Sequence, residues 1–210
     1  MYGLYDEFQI TLNCPHSPPN SSFTLCHAQA AFLSGICEAM LCPLERVQVL
    51  LQATKFHSRY KNTLQVFMEL KQYGLKEYYR GFSVIIARNS LSNTLFFTLR
   101  EPLKNRIIET KRIPESAQQL VGDFVAGSLL GASISTLFYP LGVVKNHMQA
   151  KINKPYDNAF HIFRHIWHLR DRSIRALYLG VHLNFTRSLV AWGITNSMYG
   201  ILRRALSTFE

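Results

Sequence analysis

One stretch decides the fold of this chain: Pro43-Leu44-Glu45-Arg46-Val47-Gln48-Val49-Leu50-Leu51-Gln52, which follows a long apolar run. It returns as Pro140-Leu141-Gly142-Val143-Val144-Lys145-Asn146-His147-Met148-Gln149, where the proline lies 97 residues after the first. In each copy the proline breaks a helix that would otherwise run straight. Charged and amide side chains then follow at helical spacing. The sequence therefore predicts two related broken helices.

Further landmarks recur at nearly the same offset and in the same order. They are Tyr60 and Asn62 with Tyr156 and Asn158, Tyr79-Arg80-Gly81 with Tyr178-Leu179-Gly180, and Arg88 with Arg187. A shared order of landmarks over about a hundred residues indicates copies of one unit. We place the two units at residues 23–112 and 113–210.

Composition alone would favour an ordinary soluble protein. Of the 210 residues, 48% are hydrophobic and 17% are charged, the mean hydropathy is zero, and the net charge of +10 is typical of a nucleic-acid-binding protein. Mean hydropathy is a poor guide, however, if helices line an aqueous cavity, because they then need an apolar outer face only. The window 121–139 contains one ionised residue, Asp123, and is long enough to cross a bilayer. Within it, Gly127-x-x-x-Gly131 indicates close helix packing.

Metal, disulfide and catalytic signals are weak. The four cysteines lack C-x-x-C spacing, so we expect neither a zinc site nor a disulfide framework. His161, His165 and His168 share one face of a predicted helix, but no carboxylate or cysteine completes a metal site there, and we interpret this face as solvated. No nucleophile and base are arranged as in an enzyme, and no cofactor is expected.

The repeated pattern resembles the mitochondrial carrier family. Each unit of that family carries P-x-(D/E)-x-x-(K/R) and then a glutamine on an odd-numbered transmembrane helix. A short amphipathic helix, an aromatic-basic-glycine turn and an even-numbered helix ending in (F/Y)-(D/E)-x-x-(K/R) follow. The resemblance implies an all-α membrane protein, a carrier helical bundle. We expect four tilted transmembrane helices near residues 23–51, 82–104, 118–149 and 182–206, and two amphipathic matrix helices at 62–73 and 158–169.

The first 22 residues match only the end of such a unit. Tyr5-Asp6-x-x-Gln9 aligns with Arg100-Glu101-x-x-Lys104 and with Tyr199-Gly200-x-x-Arg203. Family members have three units, so the resemblance implies a fragment lacking most of the first repeat, with residues 1–22 as a remnant helix and linker. A disordered polar start is the alternative.

The resemblance also implies ion pairs that close each side of the bundle in turn. On the matrix side, Gln48 replaces a base and Gly142 replaces an acid, which leaves Glu45 and Lys145 to pair. On the cytoplasmic side, the matched losses at Gln9 and Gly200 leave Asp6 with Lys104 and Glu101 with Arg203. The family glutamines are Gln52 and Gln149, which we expect to brace the matrix-side pair. The alternative is that these are surface pairs at helix ends.

Four residues lie at the depth where the family binds substrate: Glu38, Arg88, Asn89 and Arg187. Ionised groups inside a membrane span are costly unless they face water or a partner, so they are functional candidates. Two arginines can hold phosphate or carboxylate oxygens in pairs. A structural salt bridge, such as Glu38 with Arg88, is the alternative.

Several short strings look most like the mitochondrial NAD transporter subgroup: Pro43-Leu44-Glu45-Arg46-Val47-Gln48, Glu77-Tyr78-Tyr79-Arg80-Gly81, Arg88-Asn89-x-Leu91-Ser92-Asn93 and Trp192-Gly193-Ile194. This implies a monomeric, multi-pass inner-membrane transporter that moves NAD or a similar nucleotide cofactor by alternating access and binds no nucleic acid. The basic segments 53–80 and 145–175 favour anionic lipid, which in the family is cardiolipin near the turns at Gly81 and Gly180. A carrier for another anionic metabolite is the alternative, as is a non-transporting basic protein that binds membranes or nucleic acid.

Overall fold

The computed structural model describes residues 1–15, 24–56, 59–110 and 115–207, with backbone alone at 109–110, 115–119, 203–204 and 206–207. These residues form helices and connecting turns, and no strand occurs among them, which confirms the predicted all-α class. The helices are α1 (Tyr2–Thr11), α2 (Leu25–Ala39), α3 (Cys42–Gln52), α4 (Thr63–Gln72), α5 (Leu75–Tyr78), α6 (Phe82–Thr110), α7 (Glu115–Leu137), α8 (Tyr139–Gln149), α9 (Ala159–Leu169), α10 (Ile174–Leu177) and α11 (Val181–Ser207). A 3₁₀ turn covers Thr54–Phe56.

Two long helices break at the repeated prolines, as the sequence predicts. α2 and α3 bend by 58° across a two-residue break, and Pro43 is the second residue of α3. α7 and α8 are separated at Phe138, and Pro140 is the second residue of α8. Proline is well placed at a helix start because its missing N–H has no intrahelical acceptor there.

Hydropathy identifies fewer of these helices as membrane spans than the repeated sequence pattern does. In the described part of the chain, one helix is long and apolar enough by itself to cross a membrane, through the segment Leu120–Leu137. The bent pair α2 and α3 passes the same test when taken as one span. The polar residues along α6 and α11 lower their hydropathy, as expected of helices with one face toward water.

The chain forms two compact units, each with helices from both sequence repeats. Unit 1 comprises Met1–Ser34, Ser90–Phe138 and Gly180–Glu210, and unit 2 comprises Gly35–Asn89 and Tyr139–Leu179. The proposed repeat bounds at 22/23 and 112/113 stay a prediction.

Glycines let α7 and α11 pack closely in unit 1. A Cβ on Gly131 would lie 2.1 Å from Trp192 Cγ, and one on Gly127 would lie 2.5 Å from Asn196 Cβ. No real side chain tolerates such contacts, so the close packing requires glycine at both positions. The prediction from Gly127-x-x-x-Gly131 is confirmed.

The two predicted amphipathic helices appear in unit 2 as α4 and α9. Val66 and Leu70 of α4 are buried in a cluster with residues of α3, and Ile162 and Ile166 of α9 are buried in a cluster with residues of α8. After each of them a short helix leads to a glycine with positive φ, +83° at Gly81 and +87° at Gly180. Residues with a Cβ rarely adopt this conformation, which explains glycine in both turns.

One expectation from the cysteines is wrong. Cys14 and Cys26 form a disulfide, with their Cα atoms 5.6 Å apart. They lie just after α1 and inside the first turn of α2, so the fold brings together two thiols that are 12 positions apart. Spacing alone does not reveal this pair because it depends on how α1 and α2 lie in the fold.

Candidate functional site

The predicted matrix-side pair comes together in unit 2. Lys145 Nζ lies 3.1 Å from Glu45 Oε2, and the side chains are 13% and 33% exposed respectively. Each residue lies in the first turns after a repeated proline, Glu45 on α3 and Lys145 on α8. The pair is partly wetted, so its net stabilising contribution is about 1 kcal/mol or less. A weak ion pair of this kind can open and re-form at low cost.

The two family glutamines differ in their surroundings. Gln149 is fully buried and donates from Nε2 to Cys42 Sγ at 3.8 Å, which ties the end of α8 to the start of α3. Gln52 is exposed at the end of α3. Their predicted role as braces for the Glu45–Lys145 pair stays a prediction.

Unit 2 also contains a larger buried ionic cluster that the sequence did not predict. Glu77 accepts a hydrogen bond from Arg46 Nη2 at 2.8 Å on Oε1 and one from Arg80 Nη2 at 3.1 Å on Oε2. All three side chains are at most 4% exposed. Burial by itself would raise the pKa of Glu77, but the hydrogen bonds and charges of the two arginines hold that pKa below its ordinary value.

This cluster fastens the loop between α8 and α9. Arg46 donates to the Lys151 carbonyl at 2.9 Å, and the Asn153 N–H donates to Glu77 Oε1 at 3.2 Å. The Tyr156 hydroxyl donates to Glu77 Oε2 at 3.0 Å, and the Arg80 guanidinium lies 4.4 Å from the centre of the Tyr156 ring. Arg80 also donates to the carbonyls of Lys154 and Pro155. The i,i+3 spacing of Glu77 and Arg80 was a readable signal, whereas the distant Arg46 gave none.

A second polar cluster lies in unit 1, on α6, α7 and α11. Asp123, which is 1% exposed, has its Oδ1 2.7 Å from Lys104 Nζ and 3.5 Å from Arg100 Nη2. Asn196 accepts from the Tyr2 hydroxyl at 2.5 Å and from Arg100 Nε at 2.7 Å, and it donates to the Asp123 carbonyl. The sequence marked Asp123 only as the single ionised residue of an apolar window. Its burial beside two bases is the finding of the structure.

The predicted cytoplasmic-side partners take other contacts here. Among the described side chains, Lys104 pairs with Asp123, and Asp6 accepts a hydrogen bond from the Tyr199 hydroxyl. Glu101, whose side chain is 58% exposed, accepts from Arg100 at 2.9 Å. The backbone of Arg203 lies in α11, but its side chain is outside the described residues. The pairs Asp6–Lys104 and Glu101–Arg203 therefore stay predictions.

The four predicted substrate residues are divided between the units. Glu38 lies near the end of α2, and Arg88 and Asn89 lie in the first third of α6; all three belong to unit 2 and are half-buried. Arg187 lies on α11 in unit 1, is exposed, and donates to Asn184 Oδ1 at 3.4 Å. A common cavity for the four stays a prediction.

Two histidines of the α9 face contact other side chains. His168 Nδ1 is 3.3 Å from Arg172 Nε, and the His165 ring centre is 6.2 Å from that of His147. Over the described ranges, no group of three histidine, cysteine or acidic residues is arranged to hold a metal ion.

Comparison with known proteins agrees with this architecture. The family model for mitochondrial carrier protein matches residues 20–111 and 116–210. The chain is 42% identical over 206 residues to the human mitochondrial nicotinamide adenine dinucleotide transporter SLC25A51, covering 98% of this chain and 67% of the relative. It is 42% identical over 202 residues to the human transporter of the same description SLC25A52, covering 96% and 66%. It is 33% identical over 214 residues to human solute carrier family 25 member 53, covering 97% and 66%. The chain thus spans about two thirds of the length of these relatives.

Proposed function

The chain belongs to the mitochondrial carrier family, and from this membership we propose that it moves NAD, or a similar nucleotide cofactor, by alternating access. As a family member it is a multi-pass protein of the mitochondrial inner membrane. The observation that carries the substrate proposal is the 42% identity, over 98% of this chain, to a relative named as a transporter of nicotinamide adenine dinucleotide. The named relatives are transporters and carriers, which favours transport over catalysis.

The proposed substrate contacts are Glu38, Arg88, Asn89 and Arg187. NAD carries a pyrophosphate and polar rings, and a guanidinium can donate two parallel hydrogen bonds to phosphate oxygens. An amide and a carboxylate can hydrogen-bond the ribose hydroxyls and the rings. The chemistry of the four side chains suits such a ligand, and it also suits other anionic cofactors.

The proposed matrix-side gate is the Glu45–Lys145 pair. Its support is the 3.1 Å separation of the two charged groups in unit 2, together with their places just after the two repeated prolines. In an alternating mechanism this pair breaks when the matrix side opens and re-forms when it closes. Because the gate is a single, partly exposed ion pair, the free-energy cost of opening it is low.

The proposed lipid partner is cardiolipin, and the proposed oligomeric state is a monomer. The support for cardiolipin is the excess of basic residues in 53–80 and 145–175 and the two positive-φ turns at Gly81 and Gly180. Helix starts after such turns present N–H groups that suit phosphate oxygens.

Uptake of labelled NAD tests the proposal. The chain is expressed in cells whose own mitochondrial NAD carrier has been removed, and NAD uptake is measured in their isolated mitochondria. We expect uptake above the empty-vector level, with inhibition by excess unlabelled NAD and little inhibition by a tricarboxylate. Uptake of a competing anion in place of NAD would favour a carrier for that anion. Normal amounts of inner-membrane protein without any uptake would contradict the proposed function.

A further inference from the structure

Among the described side chains of unit 1, Asp123 is the most completely buried acid, and it lies beside two bases of α6. Lys104 Nζ is 2.7 Å away and Arg100 Nη2 is 3.5 Å away. A buried ion pair seldom stabilises a fold more than apolar side chains of the same size would. Inside a membrane span, such charges more often serve a functional step. Asp123 therefore calls for a role in addition to packing.

The helix contacts are shaped to let Lys104 reach this acid. Gly122 precedes Asp123 on α7, and a Cβ there would lie 3.2 Å from the Ile108 side chain and 3.4 Å from Lys104 Cγ. The Lys104 stem and the Ile108 side chain of α6 therefore lie against α7 at this position, and the tighter of the two contacts is that of Ile108. Asn196 of α11 donates to the backbone carbonyl of Asp123 and thereby holds the α7 backbone at this residue.

Lys104 thus has two candidate acids within unit 1. The sequence pattern assigns it to Asp6, whereas in the structure it pairs with Asp123 and Asp6 accepts from Tyr199. The Lys104 ammonium can pair closely with Asp6 and Asp123 at the same time only if the two carboxylates lie next to each other. The structure also contains the matrix-side pair Glu45–Lys145, and alternating access expects the cytoplasmic side to be open when that pair is formed.

We propose that Asp123 is the alternative partner that holds Lys104 while the cytoplasmic gate is open. When that gate closes, Lys104 leaves Asp123 and pairs with Asp6. Asp123 is then a positioning residue for the transport cycle, and it touches no substrate. This inference rests on the proposed transport function. The exchange of Lys104 between Asp123 and Asp6 can nevertheless be measured without any substrate.

Zero-length cross-linking measures which acid lies next to Lys104. A membrane-permeant carbodiimide activates a carboxylate, the lysine amine attacks it, and an amide forms while the carbodiimide takes up one water as a urea. Mass spectrometry of the digested full chain in membranes then gives the yield of the Asp6–Lys104 amide. In Asp123→Asn we expect this yield to rise about tenfold, which corresponds to the loss of one charge-assisted hydrogen bond that competes for Lys104.

Two further variants keep the test decisive if Asp123→Asn folds poorly. Gly122→Ala keeps both charges but places a methyl group 3.2 Å from the Ile108 side chain of α6. This crowding pushes α6 and its Lys104 away from Asp123, so the Asp6–Lys104 yield should also rise. Glu7→Gln removes an exposed charge of α1 and should leave the yield at the wild-type level. If Asp123→Asn and Gly122→Ala leave the yield unchanged while the chain stays folded, Asp123 is a static brace and the inference is wrong. A failure of NAD uptake leaves this readout unaffected, so the two proposals fail separately.

Discussion

The guanidinium of Arg46 lies 2.8 Å from the carboxylate of Glu77, and the two side chains are 0% and 4% exposed. Arg46 belongs to the stretch that follows the first repeated proline, whereas Glu77 lies on the short helix before Gly81. One carboxylate therefore joins two of the landmarks that recur along the chain. With Arg80 on its other oxygen, Glu77 balances two buried cations.

Removing the charge of Glu77 should destabilise unit 2. In Glu77→Gln, Arg46 and Arg80 keep a hydrogen-bond acceptor but lose their counter-ion, and breaking a buried pair in this way costs about 3–5 kcal/mol. The measurement is unfolding of the detergent-solubilised chain by heat or denaturant. Glu69→Gln is the matched control, because Glu69 pairs with an exposed arginine, Arg59, and such pairs contribute about 0–1 kcal/mol. Equal losses in the two variants would contradict the prediction.

The same cluster predicts a pH dependence of stability. Because the pKa of Glu77 is lowered in the folded chain, the unfolded chain takes up its proton at a higher pH than the folded chain. The stabilisation is complete above the unfolded pKa of about 4.3 and is lost as the pH falls through the lower folded pKa. The difference in unfolding free energy between wild type and Glu77→Gln should therefore shrink as the pH is lowered from 6 toward 3. Unfolding is measured at intervals of roughly one pH unit over this range. A constant difference over that range would disprove the assignment to Glu77.

Local signals made the helices predictable. Pro43 and Pro140 terminate straight helices by covalent geometry, so the two breaks could be read without knowledge of the fold. Gly127 and Gly131 predicted a close helix contact because glycines four apart share a helix face, and the structure shows that the partner is α11. The Glu45–Lys145 contact followed from the family pattern and from the two matched losses that left one acid and one base.

The buried clusters could not be predicted because they join distant residues. Arg46 looks like any charged residue that follows a helix break, and its partner Glu77 lies 31 positions away. The pattern assigned Lys104 to Asp6, and nothing in the sequence indicated that α6 brings it to Asp123. The Cys14–Cys26 disulfide likewise depends on where the fold places α1 and α2.

Adding a methyl group at Gly131 should weaken the α7–α11 contact. The new Cβ of Gly131→Ala would lie 2.1 Å from Trp192 Cγ, and overpacking of this kind costs about 1–3 kcal/mol. Gly142→Ala is the control, because a Cβ there would have no atom within 4 Å among the described residues, apart from its chain neighbours and the backbone of its own helix. There alanine should be neutral or stabilising by up to about 1 kcal/mol, since it is the better helix former. The measurement is thermal unfolding of both variants and of wild type. A Gly131→Ala chain as stable as wild type would contradict the close α7–α11 contact.

Reversing charges tests the matrix-side gate. Glu45→Lys and Lys145→Glu each place like charges about 3 Å apart and should reduce NAD uptake, whereas the double variant restores an attractive pair and should recover it. The control is the pair of Glu69 with the exposed Arg59, and reversing the charge of either residue should leave uptake unchanged. A double variant no better than the weaker single variant would argue against the pairing.

Arginine-to-lysine changes test the proposed substrate contacts. Arg88→Lys keeps the charge but loses the planar pair of donors that can hold two phosphate oxygens at once. If Arg88 contacts the pyrophosphate, the affinity for NAD should fall roughly ten- to a hundredfold, the cost of one charge-assisted contact, and the same holds for Arg187→Lys. If Arg88 is instead a brace for Glu38, lysine should preserve uptake, because a single ion pair needs only the charge. Arg59→Lys, on an exposed arginine, controls for general effects of the exchange. The measurement is the NAD concentration dependence of uptake at equal amounts of membrane protein, and normal uptake by Arg88→Lys and Arg187→Lys would make both arginines structural.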